Sequence, residues 1–397
     1  MPQPYTPQED SLMMSEQVKK YAKGLVLDVG TGSGIQVLSA LENKLVKKII
    51  GIDIDNEAVD YCKKKIKSKK AEFFQSDLFE IFKRKKSSSK EFFSCQFDTI
   101  IFNPPYLPNE KNSEINDISL HGGKKGYGTI ERFLSEVNDS LDKDGIILLL
   151  FSSQTNKGMI DKLIEKNLLV SELLDKKHFF FEDLFVYKIQ KTEILREIES
   201  QDVSRLIFLA KGHHGIVYHG VYRGKKIAIK IKNPKSHAIE IIRKEAGWLK
   251  RLDEYPIAPK LIFHTENFLV MEFIDGKRII DYIESSNKKE IISLLKKIFG
   301  QLLILDKLGI KKEEMHHPIK HIIVREKKPV MIDFERAHFT EKPGNVTQFC
   351  SFLMRISRIL EEKGIFINKD KIISFAQSYR KNRVIQTPSI SSFFLQR

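Results

Sequence analysis

Tryptophan and cysteine are almost absent from this 397-residue chain, which has one of the first and three of the second. Cys62, Cys95 and Cys350 are scattered, with no Cys-x-x-Cys spacing. That argues against a zinc site within the chain and for a reducing compartment. Long apolar runs are missing too. No stretch approaches the ~20 apolar residues needed to cross a bilayer. The start, Met1-Pro-Gln-Pro-Tyr5, is polar and lacks a signal-peptide pattern. The expected location is cytoplasmic, with no membrane partner. Acid is outnumbered, 52 Asp and Glu against 67 Lys and Arg, for a formal charge of +15. Such a balance favours an anionic partner, such as RNA, a ribosome, DNA or a phosphate-rich ligand. The alternative is a lysine-rich surface that only solubilises. What the chain does have is 41% apolar residues, enough for real cores, and room for two domains.

The first half alternates strands and helices. Residues 12–22 have helical spacing, and Gly24 stops them. Leu25-Val-Leu-Asp28-Val29 is a continuous apolar run, as in a buried parallel strand. Gly30-Thr31-Gly32-Ser33-Gly34 follows, and residues 35–45 read as a helix. Glycines there allow positive φ and close approach of backbone to a ligand. A second strand, 48–53, ends in Asp53, about 20 residues past the loop, where an acid can take both hydroxyls of a ribose. The bland role for Asp53 is a helix cap, for which Asp55 or Asn56 is better placed. Residues 73–78 read as a third strand, and Asp77 at its polar tip can accept from an adenine amino group. The loop lacks the Lys-Ser/Thr ending of a phosphate-cradling P-loop. Spacing alone leaves nicotinamide binding open.

A tetrapeptide decides against nicotinamide. Phe97 to Phe102 is an apolar strand, and Asn103-Pro104-Pro105-Tyr106 ends it. Proline has no N–H for a sheet ladder, so the chain turns at the sheet's carboxyl edge, where open α/β sheets bind ligands. A planar NH2 group has two N–H donors. The Asn103 side-chain oxygen and the Pro104 carbonyl can take one each, and Tyr106 can lie against the flat face. The structural alternative is a proline-ended strand and nothing more.

Together, Asp28-Val-Gly-Thr-Gly-Ser-Gly34, Asp53, Asp77 and Asn103-Pro-Pro-Tyr106 resemble a class I AdoMet-dependent methyltransferase of the HemK/PrmC kind. Tyr5-Thr-Pro-Gln-Glu-Asp-Ser11, Leu120-His-Gly-Gly-Lys-Lys-Gly126 and Ile130-Glu-Arg-Phe-Leu134 are similar to segments of its archaeal and eukaryotic branch. The resemblance covers roughly residues 3–188. It implies a Rossmann-like, doubly wound, seven-stranded sheet. It implies N5-methylation of the glutamine amide in the Gly-Gly-Gln loop of a peptide chain release factor. By position, Ser11, Asp28, Gly30, Thr31, Gly32, Gly34, Asp53 and Asp77 would hold S-adenosyl-L-methionine. Asn103, Pro104, Pro105 and Tyr106 would orient the amide. A small zinc-binding activator subunit is an implied partner. Lys63-Lys64-Lys65 and Lys83-Arg84-Lys85-Lys86 are either solvated faces or a platform for ribosome or RNA. The alternative acceptor is adenine N6 in DNA or RNA, which the same turn serves, although no target-recognition segment for base flipping is evident.

The expected division is a methyltransferase domain at 1–188, a charged helical linker at 189–200 and a second domain at 201–397. The second half opens with a glycine turn, Gly212-His-His-Gly215, inside a strand pair. Ile227-Ala-Ile-Lys230-Ile231 is a strand carrying one lysine, and Glu245 follows on an amphipathic helix. Leu269 to Gly276 reads as a hinge, and Val330-Met-Ile-Asp333-Phe334-Glu335 sits where a metal-binding Asp-Phe-Gly would be. The pattern is similar to small archaeal kinases related to the RIO group. The resemblance implies an α+β bilobal kinase-like domain binding ATP and Mg. In it Gly212 and Gly215 cover phosphates, Lys230 and Glu245 pair, Asp333 holds the metal and Glu314 takes the catalytic-base position. Two departures stand out: Glu335 replaces the glycine, and Lys312-Glu-Glu314-Met-His-His-Pro-Ile-Lys-His321 replaces His-Arg-Asp. A non-catalytic binding module, or pseudokinase, is the alternative. His316, His317 and His321 as a metal site is a weaker reading than plain loop histidines.

Overall fold

The structure, a computed structural model, describes residues 9–83, 96–104, 126–179, 182–212, 214–233, 240–382 and 393. Pro105 and Tyr106 lie outside the described residues, as do 5–8, 84–86, 120–125, Phe180, Phe181 and His213. Contacts divide the chain into two compact units, Met1–Phe208 with Val221–Arg223, and Leu209–Gly220 with Gly224–Arg397. Among the described residues no helix is long and apolar enough to cross a membrane.

The first unit runs α1 (Glu9–Tyr21), β1 (Gly24–Val29), α2 (Ile35–Glu42), β2 (Val46–Asp53), α3 (Asn56–Lys65), β3 (Ala71–Gln75), α4 (Glu80–Lys83), β4 (Phe97–Phe102), α5 (Gly128–Glu136), β5 (Leu141–Ser152), α6 (Lys157–Lys166), β6 (Leu169–Phe179), β7 (Glu182–Lys191) and α7 (Glu193–Ser200). Its seven strands lie in the order β3-β2-β1-β4-β5-β7-β6. The first five are parallel, and β7 runs antiparallel to both β5 and β6. This is a mixed, class I methyltransferase-like sheet. Continuous apolar runs make the central strands because both faces are covered: Val26, Leu27, Ile49, Ile50, Ile100 and Ile101 are all buried. The chain winds outward from β1 to β3, then returns to β4 on the other side of β1. The turning point therefore falls between β1 and β4. In register, Val29 stands beside Ile52 on one side and Phe102 on the other. The next residues along, Gly30, Asp53 and Asn103, are thereby set together at the carboxyl edge.

Some bounds differ from the sequence reading, for local reasons. The third strand ends at Gln75, because the Ser76 hydroxyl closes a turn on the Leu78 carbonyl (2.8 Å) and the Ile81 N–H (3.1 Å). Helix α2 ends at Glu42, where Asn43 turns extended and its side chain takes the Leu45 N–H. The charged stretch expected as a linker holds α7, with Leu195 and Ile198 buried and Lys191 paired to Glu199 at 2.7 Å.

Next along the chain comes a five-stranded sheet in the order β11-β12-β10-β9-β8. Its strands are β8 (Val203–Lys211), β9 (Gly215–Tyr222), β10 (Lys225–Lys232), β11 (Leu261–His264) and β12 (Phe268–Glu272), with α8 (Ile241–Arg251) between β10 and β11. A mainly helical part follows: β13 (Lys277–Arg278), α9 (Ile279–Ser285), α10 (Lys288–Lys307), β14 (Ile310–Lys311), β15 (Ile322–Arg325), β16 (Lys328–Met331), β17 (His338–Phe339), α11 (Asn345–Arg355), α12 (Ser357–Glu362) and α13 (Lys369–Asn382). Helix α10 is its axis. Asn287 and Glu290 cap it reciprocally. Ile291, Leu294, Leu295, Ile298, Phe299, Leu302 and Leu305 recur at helical spacing and are buried. Each such side chain contributes about 1.5–3 kcal/mol by leaving water.

Candidate functional site

At the carboxyl edge of the first sheet, the glycine loop leaves β1 and is pinned to β2. The N–H groups of Gly30 and Thr31 both donate to the Ile52 carbonyl, at 2.8 and 2.9 Å. Gly30, Gly32 and Gly34 all have positive φ, of 70°, 49° and 76°. A Cβ at Gly30 would meet nothing within 4 Å, and one at Gly32 only a carbonyl at 4.0 Å. Space is thus left on the loop for something other than protein. Gly34 differs: its Cβ would strike Ile66 at 2.7 Å, so it serves helix packing.

Asp28 and Asp53 flank this loop. Asp28 is 1% exposed and accepts a hydrogen bond from the Thr31 hydroxyl at 2.8 Å. Burial, with repulsion from Asp53 and against the Thr31 hydrogen bond, pushes the Asp28 carboxyl up to about 7. Asp53 accepts the Gly32 N–H at 2.8 Å and the Asp55 N–H at 3.0 Å. Burial raises its pKa too, against those donors. Asp55, not Asp53, caps α3, taking the Glu57 N–H at 2.8 Å. No ion pair involves Asp28 or Asp53 among the described residues. Ser11 is buried on α1, its carbonyl accepting from Gln36 of α2 at 3.0 Å. Asp77 instead turns to Arg132, with a 2.9 Å ion pair half-exposed at the surface.

Asn103 follows β4, and Pro104 beside it is buried. The Asn103 Nδ2 donates to Asp10 Oδ2 at 3.1 Å. Its Oδ1 is buried and has no hydrogen-bond partner among the described residues. An ionised carboxylate only accepts, so Asp10 dictates which end of the amide faces it. The oxygen is left as the acceptor. A buried orphan acceptor costs about 1–3 kcal/mol, so the site gains when a donor arrives. The donor set therefore suits a cationic ligand over the glycine loop and an N–H donor at Asn103. This fits S-adenosyl-L-methionine, which has a sulfonium, an ammonium and a ribose diol. Asp10 is the residue that sequence reasoning missed. It stands in the quoted stretch before Ser11, but its partner is 93 residues away.

In the second unit, β10 and α8 bring Lys230 and Glu245 together at 2.6 Å. Lys230 also reaches Asp333 Oδ1 and Glu335 Oε2, each at 2.9 Å. Burial opposes its charge, but Glu245, Asp333 and Glu335 outweigh that and hold its pKa above the ordinary lysine value. Burial likewise opposes the Asp333 charge, and Lys230 prevails, so its carboxyl lies below the usual range. The three carboxylates lie within 4.8 Å of one another and could also hold a cation. A Cβ at Gly215 would sit 2.7 Å from Lys230 Cε, so that glycine lets the lysine pass. Gly212 and Gly215 close the preceding turn, N–H to carbonyl, at 2.8 Å. Asp333 has φ of 64° and Glu314 φ of 70°, both strained for residues with side chains. Glu314 accepts from His321 Nε2 at 2.6 Å and Arg336 at 2.8 Å. Burial, then Lys312, lower the His321 pKa. Lys312, also missed from sequence, is fully buried, and burial pushes it down to about 8. Its Nζ donates to the Asp333 carbonyl at 2.6 Å.

Comparison with known proteins bears on the first unit. A family model, the methyltransferase small domain, matches residues 9–180. A protein of Methanocaldococcus jannaschii, provisionally named a protein N5-glutamine methyltransferase, is 36% identical over 168 residues, 41% of this chain and 79% of that protein. The release factor glutamine methyltransferase of Streptococcus pneumoniae is 27% identical over 157 residues, 38% of this chain and 52% of that protein. The chain thus spans about half the length of that bacterial relative. Among solved structures, the E. cuniculi Mtq2–Trm112 complex, responsible for methylation of eRF1, matches with TM-score 0.36 and 21% identity, covering 47% of this chain and 98% of that one.

Proposed function

This chain belongs to the methyltransferase small-domain family through residues 9–180, and on that premise we propose that it methylates the side-chain amide nitrogen of a glutamine. Its general chemistry is AdoMet-dependent methyl transfer. The proposed acceptor is the Gly-Gly-Gln loop of a peptide chain release factor. The observation that carries this reading is Asn103, whose NH2 is held by Asp10 and whose buried oxygen awaits a donor.

When bound, AdoMet supplies an already electrophilic methyl group on its sulfonium. Asp28, Asp53, Ser11 and the backbone of Gly30 to Gly32 would hold it. Asn103 Oδ1 and the Pro104 carbonyl take the two N–H groups of the acceptor amide, leaving its nitrogen lone pair directed at the methyl. No carboxylate need remove a proton first, because a methylated amide nitrogen loses one readily. The chain's contribution is positioning. The release factor is the proposed partner, aided by a small zinc-binding activator subunit and by the basic surface toward ribosome or RNA.

For the second unit we propose a kinase-like nucleotide site, with Lys230 and Glu245 paired at 2.6 Å as the supporting geometry. ATP with Mg at Asp333 is the proposed ligand, and Glu314 the proposed base. ATP-dependent autophosphorylation, absent in Asp333→Ala, tests this; no incorporation leaves a binding module.

The deciding experiment for the first unit is transfer of labelled methyl from AdoMet. The acceptors are a release factor, its Gly-Gly-Gln→Gly-Gly-Ala form and a DNA/RNA mixture, each with and without the zinc-binding subunit. Label on the intact factor alone is expected. Label on nucleic acid with an unmodified factor sinks the glutamine reading and promotes adenine N6.

A further inference from the structure

Lys230 is saturated. An ammonium has three N–H donors, and here each has a carboxylate: Glu245 at 2.6 Å, Asp333 at 2.9 Å and Glu335 at 2.9 Å. The lysine is only 6% exposed and has no donor left for a phosphate. The three partners are not equivalent. The Glu245 side chain is 1% exposed and lies behind the lysine, its other oxygen taking the Phe334 N–H at 3.2 Å. Asp333 and Glu335 instead line a cavity of about 210 Å³, together with His214, Lys320, His321 and Arg336. An anion reaching Lys230 from that cavity must displace one of the two. The Asp333 main chain is held on both sides, its carbonyl by Lys312 at 2.6 Å and the following Phe334 N–H by Glu245 at 3.2 Å, so its short side chain has less reach away from the lysine than the longer Glu335. Among the described residues, the lysine contact at 2.9 Å is the only hydrogen bond of the Glu335 side chain. Glu335 also stands where the sequence pattern would otherwise place a glycine, which has no side chain to offer.

We propose that Glu335 is an internal anion that occupies the phosphate position on Lys230, so that a nucleoside triphosphate binds only by displacing it. This rests on the nucleotide reading of the second unit and deepens it. The Glu335 carboxylate must leave the ammonium as a triphosphate oxygen takes its place. The charge count supports the exchange. Three carboxylates surround one lysine ammonium, so a triphosphate entering beside all three would meet repulsion as well as lost donors. Moving Glu335 away frees one lysine donor and removes one of the three negative charges. Replacing Glu335 should leave the fold intact, since Glu245 and Asp333 still neutralise the lysine.

The test is titration of the full chain with a fluorescent ATP analogue and magnesium, for wild type, Glu335→Gln, Glu335→Gly and Lys230→Met. One freed charge-assisted hydrogen bond corresponds to about tenfold in affinity. Both Glu335 variants are expected to bind about tenfold tighter than wild type, and Lys230→Met to lose binding. Equal binding by wild type and both Glu335 variants, still lost in Lys230→Met, overturns the displacement while leaving the nucleotide site standing. No binding by any form overturns both.

Discussion

The two units handle buried charge in opposite ways. In the first, the acids of the site stand without cations: Asp28 has a hydroxyl and Asp53 two backbone N–H groups. Asn103 keeps an acceptor with no donor among the described residues. In the second, Lys230 is closed by three carboxylates at 2.6–2.9 Å. One site is built short of positive charge and of donors, so it favours a cation with N–H groups. The other has met its own demand, so a ligand must compete with the chain itself. Affinity in the first is limited by how well the acids stay ionised, and in the second by what must be moved aside.

The sharpest way to break this contrast is to empty the second cluster. Lys230→Met strands Glu245 and Asp333, and removing one partner of a buried ion pair costs about 3–5 kcal/mol. Urea unfolding of the full chain should show the second unit's transition fall by that amount, with the first unit's unchanged. Adding Glu245→Gln should return part of it. A loss under about 1 kcal/mol would mean that water, not Lys230, satisfies these acids. Next in size is Asn103→Ala. It should cut the rate of methyl transfer by about 10²-fold while leaving AdoMet affinity within about threefold, because it removes positioning and no cofactor contact. Equal loss in both quantities would place Asn103 in the cofactor site instead. Asp10→Ala is milder. It frees the Asn103 amide to turn over, and kcat should drop about tenfold with KM little changed. Asp10→Asn, which can still offer an oxygen, should recover much of the rate. A merely structural Asp10 would lower thermal stability in both variants without that recovery.

The central strands and the glycine loop were legible because their information is local. Leu25 to Val29 and Phe97 to Phe102 are apolar throughout, and prolines stop the latter within two residues. Edge elements were harder. Strand β6 from Leu169 is half-buried or exposed past its first residue, with Glu172, Asp175, Lys176 and Lys177 along it. Only its pairing with β7 makes it a strand. The stretch read as a charged helical linker contains α7, and the burial of its Leu195 and Ile198 depends on the fold. Side-chain partners were the least readable. Asp77 meets Arg132, 55 residues on, and Glu335 meets Lys230, 105 residues back. Lys312 carried no signal beyond its place before Glu313 and Glu314. A sequence fixes which residues reach the sheet edge, through register, before it reveals what each will touch there.

A last comparison separates the two charge designs by pH. Burial holds the Asp28 carboxyl at about 7 in the folded chain, against an ordinary value of 3.8. Between those values the folded chain keeps a proton that the unfolded chain has released. Stability of the first unit should therefore fall as pH rises from about 4 to about 7. Lys312 shifts the other way, from 10.5 to about 8. The folded chain there lacks a proton that the unfolded one binds, so the second unit should gain stability from pH about 8 to about 10.5. Cofactor binding follows ionisation. The ionised share of Asp28 climbs from about a tenth at pH 6 to about nine-tenths at pH 8. Calorimetric titration should show AdoMet binding up to about tenfold tighter across that range, and a flat profile in Asp28→Asn. A flat wild-type profile would mean that Asp28 is ionised throughout, and that the first site is less short of positive charge than its burial implies.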